Sequence, residues 1–98
     1  MNKKEHLLTC LAEECSELQQ AISKALRFGL DDGSPDKTTT NLQDIKQELI
    51  DIKSVVEMIQ DEGIWERPGK IYEENRMAEK IAKVQKYMDY AKKRGTLI

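Results

Sequence analysis

Five carboxylates fall in two short clusters. The first is Glu13-Glu14-Cys15-Ser16-Glu17 and the second is Glu48-Leu49-Ile50-Asp51. Glu14 with Glu17, and Glu48 with Asp51, are spaced i, i+3. On a helix that spacing brings two side chains to one side, about 5–6 Å apart at Cβ. Buried carboxylates cost free energy unless something positive compensates them. A hard divalent cation does so, because it takes oxygen ligands. Neither cluster contains a histidine. An all-oxygen donor set favours Mg²⁺ or Mn²⁺ over Zn²⁺ or iron. Two such pairs on facing helices give four converging carboxylates, as in di-metal helix bundles.

The clusters need helices to hold them, and the apolar pattern supplies three. Leu8, Leu11, Cys15, Leu18, Ile22 and Ala25 recur at spacings of three and four, which is the helical period. This predicts a first helix from Lys3 to Phe28, capped by Asn2 with Glu5 three residues later and stopped by Gly29. Residues 30–40 are polar and rich in turn formers, so they read as a loop. That loop is either a lid or a plain connection. Leu42, Ile45, Leu49, Ile52, Val56 and Ile59 predict a second helix that is capped by Asn41 or Thr40 and runs to about Asp61. Ile64 to Gly69 is a connector, with Trp65 as a packing anchor. Met77, Ile81, Val84, Met88 and Ala91 predict a third helix over Tyr72 to Lys93, ended by Gly95. Three such stripes predict an all-α fold, a small bundle in one domain spanning residues 1–98.

The stripes are wider than one seam. Leu7, Cys10, Ala21 and Phe28 broaden the first helix's arc, and Val55 and Met58 broaden the second's. Such arcs pack against two neighbours. With few helices, one neighbour is expected from another subunit, in a homodimer or a dimer of dimers. Each residue turns a helix by about 100°. Measured from Cys15, Glu14 falls near about −100°, Glu17 near about −160° and Glu13 near about +160°. Measured from Ile52, Glu48 falls near about −40° and Asp51 near about −100°. Glu14, Glu17, Glu48 and Asp51 thus lie on the secondary apolar strips, and Glu13 points outward.

Composition narrows the classes. The chain has 98 residues, of which 35% are charged and 5% aromatic. That balance favours helices. A net charge of −2 and the lack of a basic stripe with interleaved aromatics argue against a nucleic-acid binder. No apolar run approaches the ~20 residues needed to span a bilayer, and the opening Met-Asn-Lys-Lys-Glu-His is unlike a signal peptide. Cys10 and Cys15 point in different directions, so no internal disulfide is expected. Cys15 is expected to be a buried apolar residue. A reducing cytoplasm fits this cysteine usage.

With both clusters in view, the chain resembles the MazG-like all-α nucleoside triphosphate pyrophosphohydrolases. Their motif is EExxE, a spacer, then ExxD, which here reads Glu13-Glu14-Cys15-Ser16-Glu17 and Glu48-Leu49-Ile50-Asp51. The stretches Leu11 to Leu18, Ser23 to Gly29 and Lys83 to Met88, followed by Gly95, are similar to the short phage and bacterial members. The spacer, Leu18 to Gln47, is longer than usual for the family, and a longer polar loop explains it. The resemblance implies hydrolysis of a nucleoside triphosphate, a (d)NTP, to the monophosphate and pyrophosphate, as nucleotide-pool housekeeping. It implies Glu14, Glu17, Glu48 and Asp51 as Mg²⁺ ligands. Glu13 belongs to the motif, in a water-orienting or intersubunit role. Basic residues should meet the phosphates. Lys24 and Arg27 follow Glu17 on the first helix, and Lys80 and Lys83 lie on the third. The ordinary reading of all four is a solvated face with i, i+4 pairs. His6 reads as a surface residue.

Two rivals need no turnover. One is a non-enzymatic helical oligomerisation or interaction module, for which the apolar seams suffice. The other is a metal-binding relative that has kept the bundle and lost hydrolysis.

Overall fold

The computed structural model describes residues 1–98. It is all-α, with α1 at Lys3–Phe28, α2 at Asn41–Asp61 and α3 at Lys70–Arg94. No helix is long and apolar enough to cross a membrane. The chain divides into two compact units, Met1–Glu66 and Arg67–Ile98.

The first unit is an antiparallel hairpin of α1 and α2. Both helices start at capping boxes. The Asn2 side chain accepts from the Glu5 backbone N–H at 2.8 Å, and Thr40 Oγ1 accepts from that of Gln43 at 3.2 Å. Glu5 and Gln43 accept the reciprocal bonds at 3.1 and 2.9 Å. Each box satisfies two backbone donors that a helix start leaves open. Lys3 reaches Glu62 at 2.6 Å at one end of the hairpin. At the other end the buried Asn41 side chain donates to the Gly29 carbonyl at 2.9 Å.

The hairpin core is small. Leu7, Ala21, Ala25 and Ile59 are buried, and Ile59 is wholly enclosed. Leu11, Leu18, Ile45, Ile52, Val55 and Val56 are half-buried beside them. This matches the expected seam at Leu11, Leu18, Ala25, Ile45, Ile52, Val56 and Ile59 and corrects it elsewhere. Leu8, Ile22 and Leu49 are exposed, and so is Cys15, which does not take the buried role its type suggested. The arc on α1 is too wide for one partner helix to cover. α2 covers the edge that runs through Leu7, Glu14 and Ala21, and the edge through Leu8, Cys15 and Ile22 is left open. Ile59→Val should cost about 1 kcal/mol, since a buried methylene carries roughly that. Chemical denaturation of both proteins would measure it.

The second unit is built on α3. It starts right after Gly69, two residues before the expected Tyr72, and ends one residue past the expected Lys93. Gly95 adopts φ 80°, which glycine tolerates without strain. That turn lets Thr96 N–H donate to the Ala91 carbonyl at 3.0 Å. Lys92, Lys93 and Arg94 sit in the last turn, where cations suit the negative end of the helix dipole. Met77, Ile81, Val84 and Met88 form an exposed apolar stripe along α3.

Candidate metal centre

Glu14 comes from the middle of α1 and Glu48 from the middle of α2. Both are half-buried in the seam of the hairpin. Each stands where the helical period would otherwise place an apolar side chain: Glu14 lies midway between Leu7 and Ala21, and Glu48 lies between Ile45 and Ile52. Glu17, one turn after Glu14, stands exposed at the edge of the seam. One carboxylate oxygen from each of Glu14, Glu17 and Glu48 lies within 4.8 Å of the others.

Three carboxylates this close repel one another. Glu14 Oε2 and Glu48 Oε2 are buried and have no hydrogen-bond partner. Buried polar atoms are ordinarily satisfied, so two orphans on one spot call for an explanation. Burial, the closely placed Glu14 carboxyl and the negative charge of Glu17 push the Glu48 carboxyl from 4.5 up to about 7. Near neutral pH it therefore takes up a proton or needs a cation. The donor set is all oxygen, as a hard divalent cation requires. The residues present fit such an ion.

Not every expected residue joins the group. Asp51 is half-buried on α2 but lies outside the three-carboxylate cluster. Glu13 is exposed, as its outward angle required. Lys24 and Arg27 are exposed on the last two turns of α1. Lys80 and Lys83 lie on α3, where with Val84 and Tyr87 they line a groove of about 400 Å³.

Two adjoining cavities lie on the hairpin, and one of them reaches the cluster. The first, of about 310 Å³, is lined by Glu17, Glu48, Lys24, Lys37 and Asp44 among others. The second, of about 470 Å³, is lined by Lys24, Arg27, Phe28, Pro35 and Lys37 with neighbouring loop residues. Lys24 and Lys37 belong to both walls. Glu17 and Glu48 thus share a cavity wall with Lys24 and Lys37, and Arg27 lines the adjoining cavity. Arg27 lies over the Phe28 ring, 5.1 Å from its centroid, a cation–π geometry.

Lys37 and Asp44 were not singled out in the sequence. Lys37 lies in the 30–40 loop, where no periodicity assigns a direction to a side chain. In the structure Lys37 Nζ contacts Asp44 at 3.1 Å, and the Thr39 hydroxyl donates to the same carboxylate at 2.7 Å. The Thr39 hydroxyl and Lys37 hold the Asp44 carboxyl below the usual carboxylate range. The only legible signal was Asp44 in the first turn of a helix, which reads as ordinary dipole chemistry.

Comparison with protein families, with curated proteins and with solved structures finds no match for this chain.

Proposed function

We propose that this protein is a Mg²⁺-dependent nucleoside triphosphate pyrophosphohydrolase of the MazG-like kind. The observation that carries the reading is the meeting of Glu14, Glu17 and Glu48 with two buried, unpartnered oxygens, beside a cleft walled by lysines. A divalent cation would offset the repulsion of the three carboxylates and partner the two orphaned oxygens.

Glu14, Glu17 and Glu48 would hold the ion, with Asp51 at i+3 from Glu48 on the same helix. When bound, Mg²⁺ supplies Lewis-acid polarisation of phosphoryl oxygens and a water of lowered pKa. The remaining work belongs to the chain. Glu48 would release its proton to solvent when it ligates a cation, since its raised pKa places that loss near neutrality. Lys24 and Arg27, exposed on the last turns of α1 and lining the adjoining cavity, offset the charge of the phosphates. Glu13, exposed beside Glu14, is available to orient water. The test is a turnover screen over standard and modified (d)NTPs, with and without chelator. Turnover that chelation abolishes supports the reading, and metal-independent turnover contradicts it.

Self-association belongs to the same proposal. The open edge of α1 at Leu8, Cys15 and Ile22 and the α3 stripe at Ile81, Val84 and Met88 are apolar and exposed. Contiguous exposed apolar surface marks interaction sites. A homodimer is the simplest closed assembly of one chain. Light scattering should give a mass at least twice that of the 11.3 kDa chain. Ile81→Glu should shift it toward the monomer, and a monomeric wild type would contradict the assembly.

A further inference from the structure

The loop between α1 and α2 brings to the cleft a cation that helical periodicity does not reveal. The loop is closed on its own backbone. Asn41 N–H donates to the Asp32 carbonyl at 2.7 Å, and Leu42 N–H to that of Leu30 at 2.9 Å. A Cβ at Gly33 would run into the Thr39 carbonyl oxygen, so only glycine lets the two strands of the loop approach this closely.

This closure has a chemical consequence. The open N–H groups of a helix start commonly bind anions. In α2 those of Asn41, Leu42 and Gln43 are already taken by Asp32, Leu30 and Thr40. An anion entering this end of the hairpin must be met by side chains. The cations there are Lys24, Arg27 and Lys37.

Lys37 stands at the junction with Lys24, and of the two it is the one held by an ion pair. It lines both the cavity that holds Glu17 and Glu48 and the cavity that holds Arg27 and Phe28. Asp44 fixes its ammonium at 3.1 Å, and Thr39 fixes Asp44. An ammonium has three donors. With one on Asp44, two remain for oxygens in the cleft.

We propose that Lys37 is a polyphosphate-binding residue, delivered by the 30–40 loop and aimed by Asp44 as its positioning residue. This rests on the metal-site reading for where the polyphosphate lies, and it adds a residue that recognises the anion itself. Lysine suits the task as a compact point charge facing several phosphate oxygens.

Calorimetry on the full chain tests it, with inorganic tripolyphosphate and Mg²⁺ as the probe. Lys37→Met should weaken binding at least about ten-fold, the cost of one charge-assisted hydrogen bond. Lys37→Arg should stay within about three-fold of wild type, since it keeps the charge. Asp44→Asn should weaken binding by an intermediate factor, because Lys37 loses its anchor. The melting-temperature gain from Mg²⁺ alone should be unchanged in Lys37→Met, as that residue is not a metal ligand. The ligand-free melt should change little, since exposed ion pairs contribute little to stability. Lys37→Met binding tripolyphosphate like wild type would overturn the proposal, and so would a wild type that does not bind it. Tight, Lys37-dependent binding without any nucleotide turnover would support this proposal and remove the hydrolytic reading. Turnover with a KM insensitive to Lys37→Met would overturn this proposal and leave the hydrolytic reading standing.

Discussion

Glu48→Gln should abolish nucleotide hydrolysis and at the same time make the metal-free protein more stable. The two effects have one cause. Glu48 sits in the seam of the hairpin with an orphaned oxygen, close to Glu14 and Glu17. The amide removes a buried negative charge and offers two donors to the neighbouring carboxylates. The melting temperature without metal should rise at pH 8, where Glu48 is otherwise ionised. Activity should fall by at least about 10²-fold, since even supporting residues around a metal cost 10–100-fold when lost. Opposite signs in stability and activity are the mark of a site strained for function. An Asp61 substitution, at the far end of α2 from the cluster, should leave activity near wild type. Steady-state kinetics and calorimetric melts on the same preparations would measure both halves. Loss of stability in Glu48→Gln would mean that Glu48 is a structural residue.

The second large effect is a change in pH dependence when metal is added. In the unfolded chain Glu48 titrates near 4.5, and in the fold near 7. Between those values the folded state holds the extra proton. Stability therefore falls as pH rises through this window and levels off above about 7. Metal-free protein should melt several degrees higher at pH 5 than at pH 8. Divalent cations bind the ionised carboxylates, so they compete with protons. The gain in melting temperature from Mg²⁺ should be small at pH 5 and large at pH 8. Saturation at 100 times the Kd corresponds to about 2.7 kcal/mol. Melts at the two pH values, each with chelator and with Mg²⁺, give the four numbers needed. An equal Mg²⁺ effect at both would place the ion somewhere other than the Glu14–Glu48 pair.

Much of the architecture was legible in the residues. The three-four periodicity and the Asn2 cap place α1 at its observed limits, and of the two caps open to α2, Asn41 and Thr40, the structure uses Thr40. Two devices explain this: a capping box has few alternative readings, and Gly29 stops α1 where a side chain would be strained. The start of α3 was less legible because Gly69 caps it without a side-chain bond. The seam between α1 and α2 was read in part: Leu11, Leu18, Ala25, Ile45, Ile52, Val56 and Ile59 are covered, whereas Leu8, Cys15, Ile22 and Leu49 are not. Apolarity alone favours the edge through Leu8, Cys15 and Ile22, yet the hairpin closes on the edge that carries Glu14. Hydrophobic matching cannot reveal that choice, because it places two carboxylates face to face and so runs against the hydrophobic gain.

The site was legible in part for the same physical reason. Glu14, Glu17 and Glu48 were recognisable because their angles placed them on apolar arcs, and the fold brings those three together. Asp51 shares the helical logic and not the meeting point. Lys37 had no such logic. Its place depends on the hydrogen bonds that close the 30–40 loop onto α2, and these are tertiary facts.

Phosphorus NMR of the products from a Mg²⁺-nucleoside triphosphate, with wild type and with Glu48→Gln, tests the central claim most directly. Pyrophosphate and nucleoside monophosphate should appear in equal amounts with wild type and be absent with the variant. Orthophosphate with the diphosphate, or turnover that survives Glu48→Gln, would contradict a pyrophosphohydrolase centred on Glu14, Glu17 and Glu48.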